Sequence, residues 1–340
     1  TDMSKGFIIG APILIENLDS KAVFSMDLTK LIFDRSLIDD RFLFYYLCYD
    51  PVRLKMKAMA QGTNVLHLNM NLVKKLKVPL PPLEEQRAIV GVLSVVDEAI
   101  RLTDMVIEKT KRIKKGLMQI LFTKGLGHKE YKDTEIGKIP KIWKIARIQD
   151  IIVKTIGGGT PSTKNPRYWN GNIPWITSVG IPEDSIYISK GERFITEEGL
   201  KNSTSNIVPK QNVIVATRVG LGKAGVNVID IAINQDLTGL VVNKEYIVPE
   251  YLAYYLRTPR IVRFIMSAAR GTTIKGITQK TLLSIKMPLP SPEEQKRIVK
   301  ILMIIDEKLR LESQRRERLV RIKKGLMDLL LTGRIRIRVN

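Results

Sequence analysis

Pro79-Leu80-Pro81-Pro82-Leu83-Glu84-Glu85-Gln86 opens a long charged pattern that runs to about Phe122, and the chain contains this pattern twice. The second copy opens at Pro288-Leu289-Pro290-Ser291-Pro292-Glu293-Glu294-Gln295, an offset of 288 − 79 = 209 positions. Residues 79–123 against 288–332, without gaps, share 23 identities in 45 positions. Unrelated segments would share roughly three, so the chain carries a duplication, and that settles the architecture before any local reading does.

The same offset holds upstream. Asp27-Leu28-Thr29 aligns with Asp236-Leu237-Thr238, Phe42-Leu43-Phe44-Tyr45-Tyr46-Leu47 with Tyr251-Leu252-Ala253-Tyr254-Tyr255-Leu256, and Gly62-Thr63 with Gly271-Thr272. The repeated unit is therefore a domain followed by a helix. Residue 1 aligns with Lys210, while the second domain opens near Gly137. About 70 residues of the second copy (210 − 137) have no partner in the first, so the first domain is expected to lack its N-terminal part.

Working outward, 1–82 reads as part of a mixed α/β domain. Phe7-Ile8-Ile9-Gly10, Leu31-Ile32-Phe33 and Leu76-Lys77-Val78-Pro79 look like strands. Arg41 to Met59 looks like one helix, and Gln61-Gly62-Thr63-Asn64 like a turn. A long helix is predicted from Glu84 to Phe122, with Pro82 just before it and acidic residues at its positive end. Ile89, Leu93, Val96, Ile100, Thr103, Ile107, Thr110, Lys114, Leu117 and Leu121 step by four and three, a heptad seam whose polar middle is expected to set the register.

The second half repeats the plan. Thr123 to Ile136 reads as a polar linker and 137–290 as a second α/β domain. Its strands are predicted at Ile173–Ile176, Val213–Ala216 and Leu237–Val242, and its helix at Pro249–Ala268. A second long helix covers Glu293 to Leu331, and Arg334, Arg336 and Arg338 form a basic tail at 334–340. The expected division is 1–82, 83–123, 124–136, 137–290, 291–333 and 334–340. A linker of 14 residues (123–136) reaches ~50 Å at most, less than the ~58 Å of a 39-residue helix. The two helices are therefore expected to pair antiparallel as an intramolecular coiled coil with pseudo-twofold symmetry. A dimerisation coil between chains is the alternative.

The chain has 56 Lys+Arg against 34 Asp+Glu, a net charge of +22. Self-repulsion of that size favours a polyanionic partner, and nucleic acid leads that class. A merely basic soluble protein is the plainer reading. No apolar run is long enough to cross a bilayer, so no membrane partner is expected. The single cysteine, Cys48, excludes an internal disulfide framework and a cysteine-based zinc site, and points to a cytoplasmic location.

Catalytic patterns are weak. His67 and His128 have no His or Cys at ligand spacing. Gly220-Leu221-Gly222-Lys223 misses the phosphate-loop spacing, and Gly157-Gly158-Gly159 is no dinucleotide fingerprint. Asn165-Pro166-Arg167-Tyr168 resembles the Asn-Pro-Pro-Tyr motif of amino-methyltransferases, but Arg167 interrupts it.

Recognition features are better represented. Lys164, Arg167, Tyr168 and Trp169 interleave cations and aromatics, suited to phosphates, stacking or base edges; a packed Trp169 among solvated neighbours is the competing reading. Thr217-Arg218 follows one apolar strand, Asn234-Gln235-Asp236 precedes another, and Arg270, Thr272 and Lys275 follow a helix. Asn and Gln can pair with adenine and Arg with guanine through two hydrogen bonds. Ser25, Met26, Gln61, Thr63 and Asn64 are the equivalents expected in the first copy.

Three features taken together resemble a known family. They are the Pro-Leu-Pro-x-x-Glu-Glu-Gln start, the Arg-Ile-Lys-Lys-Gly-Leu-Met helix end, and the run at 158–176 that opens Gly-Gly-Thr-Pro-Ser-Thr-Lys-Asn-Pro-Arg-Tyr-Trp. They look like the specificity subunit of type I restriction-modification enzymes. The resemblance implies two target-recognition domains separated by two helices, and a two-part DNA site with one half read by each domain. It implies a non-catalytic subunit that holds two methyltransferase subunits and meets ATP-dependent restriction subunits. S-adenosylmethionine and ATP would then belong to the partners, with no cofactor in this chain. A stand-alone DNA-binding regulator and a catalytic DNA amino-methyltransferase are the other classes the sequence leaves open.

Overall fold

The computed structural model describes residues 9–15, 23–25, 28–61, 67–271 and 275–338. The chain folds as two compact units, one built from 1–106 with 312–340 and the other from 107–311. Two long helices, Leu83–Leu121 and Pro292–Leu331, begin in one unit and end in the other.

In the first unit, Asp39 caps the helix Asp40–Cys48 by accepting from Arg41 N (2.9 Å) and Phe42 N (3.1 Å). Its buried face (Phe42, Tyr45) packs with Ile38 on Ile89, Val90 and Leu93 of one long helix and on Met327, Leu330 and Leu331 of the other. Ion pairs give the direction of the helices within this unit. Arg316 meets Asp104 and Lys323 meets Asp97, each at 2.5 Å, and Arg336 meets Glu85. One residue number rises as the other falls, so the segments run antiparallel.

Several local expectations are corrected here. Arg41–Met59 is not one helix but two, Asp40–Cys48 and Asp50–Ala58, with Tyr49 extended between them. Pro51 in the first turn of the second helix cannot donate to a preceding turn. Pro249–Ala268 breaks in the same way at Thr258-Pro259, into Pro249–Leu256 and Pro259–Ala268. Leu31–Phe33 forms no strand and is largely exposed. Leu76–Pro79 forms none either. Its counterpart Lys286–Leu289 pairs antiparallel with Lys144–Arg147. Ile9-Gly10 is a turn, and Phe7-Ile8 lies outside the described residues.

The second unit contains two sheets. The five-stranded sheet has the spatial order 152–157, 237–242, 212–216, 224–227, 187–188; the four-stranded sheet has the order 206–208, 231–233, 169–176, 193–195. The strand Asn212–Ala216 is buried on both faces. Ile214 and Ala216 join Ile176, Val208, Ile231 and Ile233 of the other sheet, while Val213 and Val215 face the helical side with Tyr251, Leu252, Ile298 and Leu302. Alternating side chains make this one strand serve two cores. Met118, Leu121 and Phe122 close the second core, so here too the end of one long helix lies against the start of the other. The region predicted as a polar linker is partly structured: Tyr131–Lys132 pairs with Ile139–Pro140, and Ile136 is buried.

All ten positions of the heptad seam are buried or half-buried. The Glu-Glu-Gln motif also acquires a physical role, and the same one in each unit. Gln86 Oε1 accepts from Asp39 N (2.8 Å) while its Nε2 donates to Leu37 O (2.9 Å) and Pro81 O (2.8 Å). Gln295, 209 positions on, accepts from Val248 N (2.8 Å) and donates to Tyr246 O (2.9 Å) and Pro290 O (3.0 Å). Each buried amide thus ties the loop before a domain helix to the start of a long helix. The preceding glutamate grips the chain just beyond the other helix's end: Glu85 takes Ile337 N (3.2 Å) and Glu294 takes Leu126 N (3.0 Å).

Candidate nucleic-acid interface

In the second unit, four chain segments meet at one end of the five-stranded sheet. The first is the Gly157–Trp169 loop. Gly158 and Gly159 let it lie close: a Cβ on Gly158 would sit 2.2 Å from Ile233 O, and one on Gly159 would sit 2.0 Å from Thr204 Oγ1. Gly159 N donates to Ile233 O at 3.0 Å. Close packing is therefore what the glycine run serves.

The second segment is the Asn234–Asp236 turn. Thr160 Oγ1 donates to Gln235 Oε1 at 2.6 Å, which joins this turn to the first loop. Asn234 Nδ2 donates to Asp236 Oδ2 (2.9 Å), and Asp236 O accepts from Thr217 N (2.8 Å) and Arg218 N (3.3 Å). That backbone contact brings in the third segment, Thr217–Lys223. Arg218 Nε lies 3.7 Å from Asp236 Oδ1, with its side chain near half exposed. The fourth segment is the 270–276 loop. Arg270 and Gly276 exchange backbone hydrogen bonds (2.8 and 2.9 Å), Ile277 N donates to Thr217 O (2.8 Å), and a Cβ on Gly276 would meet Arg218 Cγ at 2.9 Å.

The structure thus brings Arg218, Gln235, Arg270 and Lys275 to one exposed rim, joined to the loop that carries Lys164 and Arg167, which are also exposed. It treats other predicted residues differently. Thr217 is buried, with its hydroxyl near Asp236 O and Thr238 Oγ1 (both 3.3 Å), so it braces the rim from inside. Trp169 is packed: it donates to Ser162 O (3.1 Å), stacks edge-on with Trp175 at 5.4 Å, and carries the Arg193 guanidinium 3.5 Å above its ring. Tyr168 is half-buried against the same cluster. In the first unit Gln61 is exposed in a two-residue strand and accepts from Asn69 Nδ2 at 3.2 Å, and Ser25 is exposed. Met26, Thr63, Asn64 and Thr272 lie outside the described residues.

Sequence reasoning missed the organisers of this rim. Asp236 joins the second and third segments, and Thr160 fixes Gln235. A carboxylate between an Asn-Gln pair and a strand was a turn signal that could have found Asp236. The Gly220–Lys223 turn is explained by conformation: Gly220 and Gly222 have φ of 79° and 91°. The Lys223 ammonium lies 3.0 Å from Glu183, and that hydrogen bond holds the Glu183 carboxyl below its ordinary value. Among the described residues, no group of three or more His, Cys, Asp and Glu side chains could hold a metal ion, and no helix is long and apolar enough to cross a membrane.

An end-of-sheet rim bearing Arg, Lys and Gln beside hydrogen-bonded turns can do two things chemically. Its cations can neutralise phosphates, and its planar groups can make paired hydrogen bonds to base edges.

Comparison with known proteins identifies the family of the chain. The chain is 31% identical over 338 residues to the putative type I restriction enzyme MjaX specificity subunit of Methanocaldococcus jannaschii, covering 97% of this chain and 76% of that protein. It is 31% identical over 336 residues to the MjaVIII specificity subunit of the same organism, covering 94% and 76%. A solved chain, described under the structural basis of complex assembly and conformational transition of the type I R-M system, shares the fold with a TM-score of 0.60. Its identity is 21%, over 88% of this chain and 72% of that one. The family model described as type I restriction modification DNA specificity domain matches residues 5–112 and 140–321, and the chain belongs to that family.

Proposed function

We propose that this protein is the DNA-recognition subunit of a type I restriction-modification complex. Each recognition domain reads one half of a two-part duplex site. The observation that carries this reading is the convergence of Arg218, Gln235, Arg270 and Lys275 on one braced rim of a chain with a net charge of +22. Lys164 and Arg167 extend the rim, Tyr168 lies at its margin, and Thr217 supports it. Gln61, with Thr63, Asn64 and Thr272, belongs to the same set by the sequence offset.

The long helices act as the spacer, paired antiparallel as an intramolecular coiled coil with pseudo-twofold symmetry. Matched hydrogen bonds at Gln86 and Gln295 support that symmetry, as does the antiparallel pairing inside each unit. The domain limits are 1–82 and 137–290, with helices at 83–123 and 291–333 joined by 124–136, and a tail at 334–340.

The helices also dock two methyltransferase subunits, which bring S-adenosylmethionine, and the assembly meets ATP-dependent restriction subunits in the cytoplasm. The chain itself is a reader and not an enzyme. Its docking surface is an apolar stripe that repeats: Ile113, Gly116 and Ile120, all exposed, on one helix, and exposed Ile322 and Gly325 with half-buried Leu329 on the other. A Cβ on either glycine would meet nothing within 4 Å, so among the described residues no contact calls for a glycine there. Glycine in a helix interior costs about 1 kcal/mol, and close approach of a partner helix offsets that cost.

The test is selection from a random duplex library with the full-length protein and its methyltransferase subunits. Enrichment of two short motifs at a fixed gap is expected. Enrichment of a single motif by the chain alone would favour a stand-alone regulator instead.

A further inference from the structure

The second unit contains a buried three-residue contact that neither base reading nor docking uses. Tyr254, on the domain helix Pro249–Leu256, donates its hydroxyl to Asp306 Oδ2 at 2.7 Å. Asp306 lies on the early part of one long helix, and Lys114, from the late part of the other, pairs with its second oxygen. The same ammonium lies 5.7 Å from the centre of the Tyr254 ring. The first unit repeats this at the 209 offset: Tyr45 donates to Asp97 at 2.8 Å, Lys323 meets Asp97 at 2.5 Å, and Lys323 lies 5.3 Å from the Tyr45 ring. In each unit three separate elements meet at one carboxylate.

We infer that Tyr254, Asp306 and Lys114, with Tyr45, Asp97 and Lys323, are positioning residues that fix the angle of each recognition domain on the long helices, and so the gap between half-sites. The inference rests on the DNA-reading role proposed above. Its physical basis is a count of anchors. Gln295 holds the domain to the start of its long helix through Val248 N and Tyr246 O. Asp306 is the second anchor, 306 − 295 = 11 residues further along, or ~16 Å. Gln86 and Asp97 have the same spacing.

One anchor leaves a domain free to pivot, and two on a rigid rod fix its angle. The apolar packing around them sets a broad fit, and the polar anchors add direction to it. Buried polar contacts select one registry among several of similar apolar burial. A pivot of about 10° on a lever of about 20 Å, the scale of such a domain, displaces the reading rim by about 3.5 Å. That is close to the ~3.4 Å rise of one base pair. Loss of the second anchor therefore blurs the gap by about one base pair.

The experiment uses the full-length protein with its methyltransferase subunits, on duplexes that carry the two selected half-sites at the native gap and at one pair more or fewer. The native complex is expected to bind the altered gaps at least tenfold more weakly. Tyr254→Phe and Asp306→Asn should narrow that preference to about threefold or less, with base preference in each half unchanged. Ile231→Val, a core change far in sequence from both anchors, serves as a stability control and should keep the full gap preference. If both anchor variants keep the native gap preference, or lose affinity equally at every gap, the positioning role is wrong. If the unaltered complex shows no two-part preference at all, the DNA-reading role fails as well, a separate and visible result.

Discussion

Glu294 Oε2 accepts a hydrogen bond from the buried indole of Trp143 at 2.9 Å, while Oε1 of the same carboxylate takes Leu126 N at 3.0 Å and His128 Nε2 at 2.7 Å. One side chain thus closes the segment between the end of one long helix and the first strand of the second domain. Glu294→Ala leaves a buried donor without an acceptor, at a cost of about 2–4 kcal/mol. In a domain of this size that lowers the melting temperature by about 5–15 °C. The neighbouring Glu293 is exposed, and Glu293→Ala should stay within about 0.5 kcal/mol. Thermal melts of the two variants decide whether position or charge matters.

Alkaline pH should unfold the protein through its tyrosines. Burial pushes the Tyr45 and Tyr187 hydroxyls from 10.0 up to about 12, and burial also raises Tyr251, Tyr254 and Tyr255. A folded value above the unfolded one means the native state holds its proton where the unfolded chain releases it. This stabilisation is fully present below pH 10 and is lost as pH rises towards about 12. Denaturant midpoints across that window should fall, and of the ten tyrosines the five named should give their tyrosinate absorbance only together with unfolding. Tyrosinate absorbance equivalent to all ten near pH 10 in a still-folded protein would contradict the buried environment.

Salt should separate the roles of the rim cations. A lysine or arginine that only neutralises a phosphate contributes about 0.9 to the slope of log affinity against log salt. Lys275→Ala is expected to weaken binding evenly across sequences and lower that slope by about one. Arg218→Ala is expected instead to relax discrimination at one base pair, at a cost of about 1–3 kcal/mol for the native base. Salt titrations on matched and single-mismatch duplexes distinguish the two outcomes.

The helix glycines should respond in opposite directions to two assays. Gly116→Leu and Gly325→Leu replace exposed glycines in helix interiors and should each raise stability by about 0.5–1 kcal/mol. Both should also weaken methyltransferase docking at least tenfold, read as loss of complex at equal concentration in size-exclusion chromatography. Greater stability with intact docking would move the partner surface elsewhere.

The long helices and the Leu237–Val242 strand were legible because an unbroken period of 3.6 or 2 is a strong signal over many residues. The breaks at Pro51 and Pro259 were visible as residues, but the aromatic spacing around each outweighed them. Leu31–Phe33 has strand-like composition without a partner strand, and composition alone does not supply one. At the rim, residue types at element ends pointed to Arg218, Gln235 and Arg270. Whether a Thr at a strand end turns inward, as Thr217 does, depends on Asp236 and the 270–276 loop, which are remote in sequence. The duplication revealed that Glu-Glu-Gln mattered twice. Only coordinates reveal that its glutamate and glutamine hold two different segments.

The first unit is not a continuous stretch of chain, since 1–106 is completed by 312–340. Phe42 and Leu93 share their core with Met327 and Leu331, and Glu85 binds Arg336. On the ribosome, the residues around Phe42 and Leu93 therefore emerge with their apolar faces open until 312–340 is made. At 5–20 residues per second, the roughly 200 residues in between take about 10–40 s. During that interval Phe42 and Leu93 lack the Met327 and Leu331 side chains they pack with. A product that stops before residue 312 lacks the Met327, Leu330 and Leu331 side chains that close the core of the first unit.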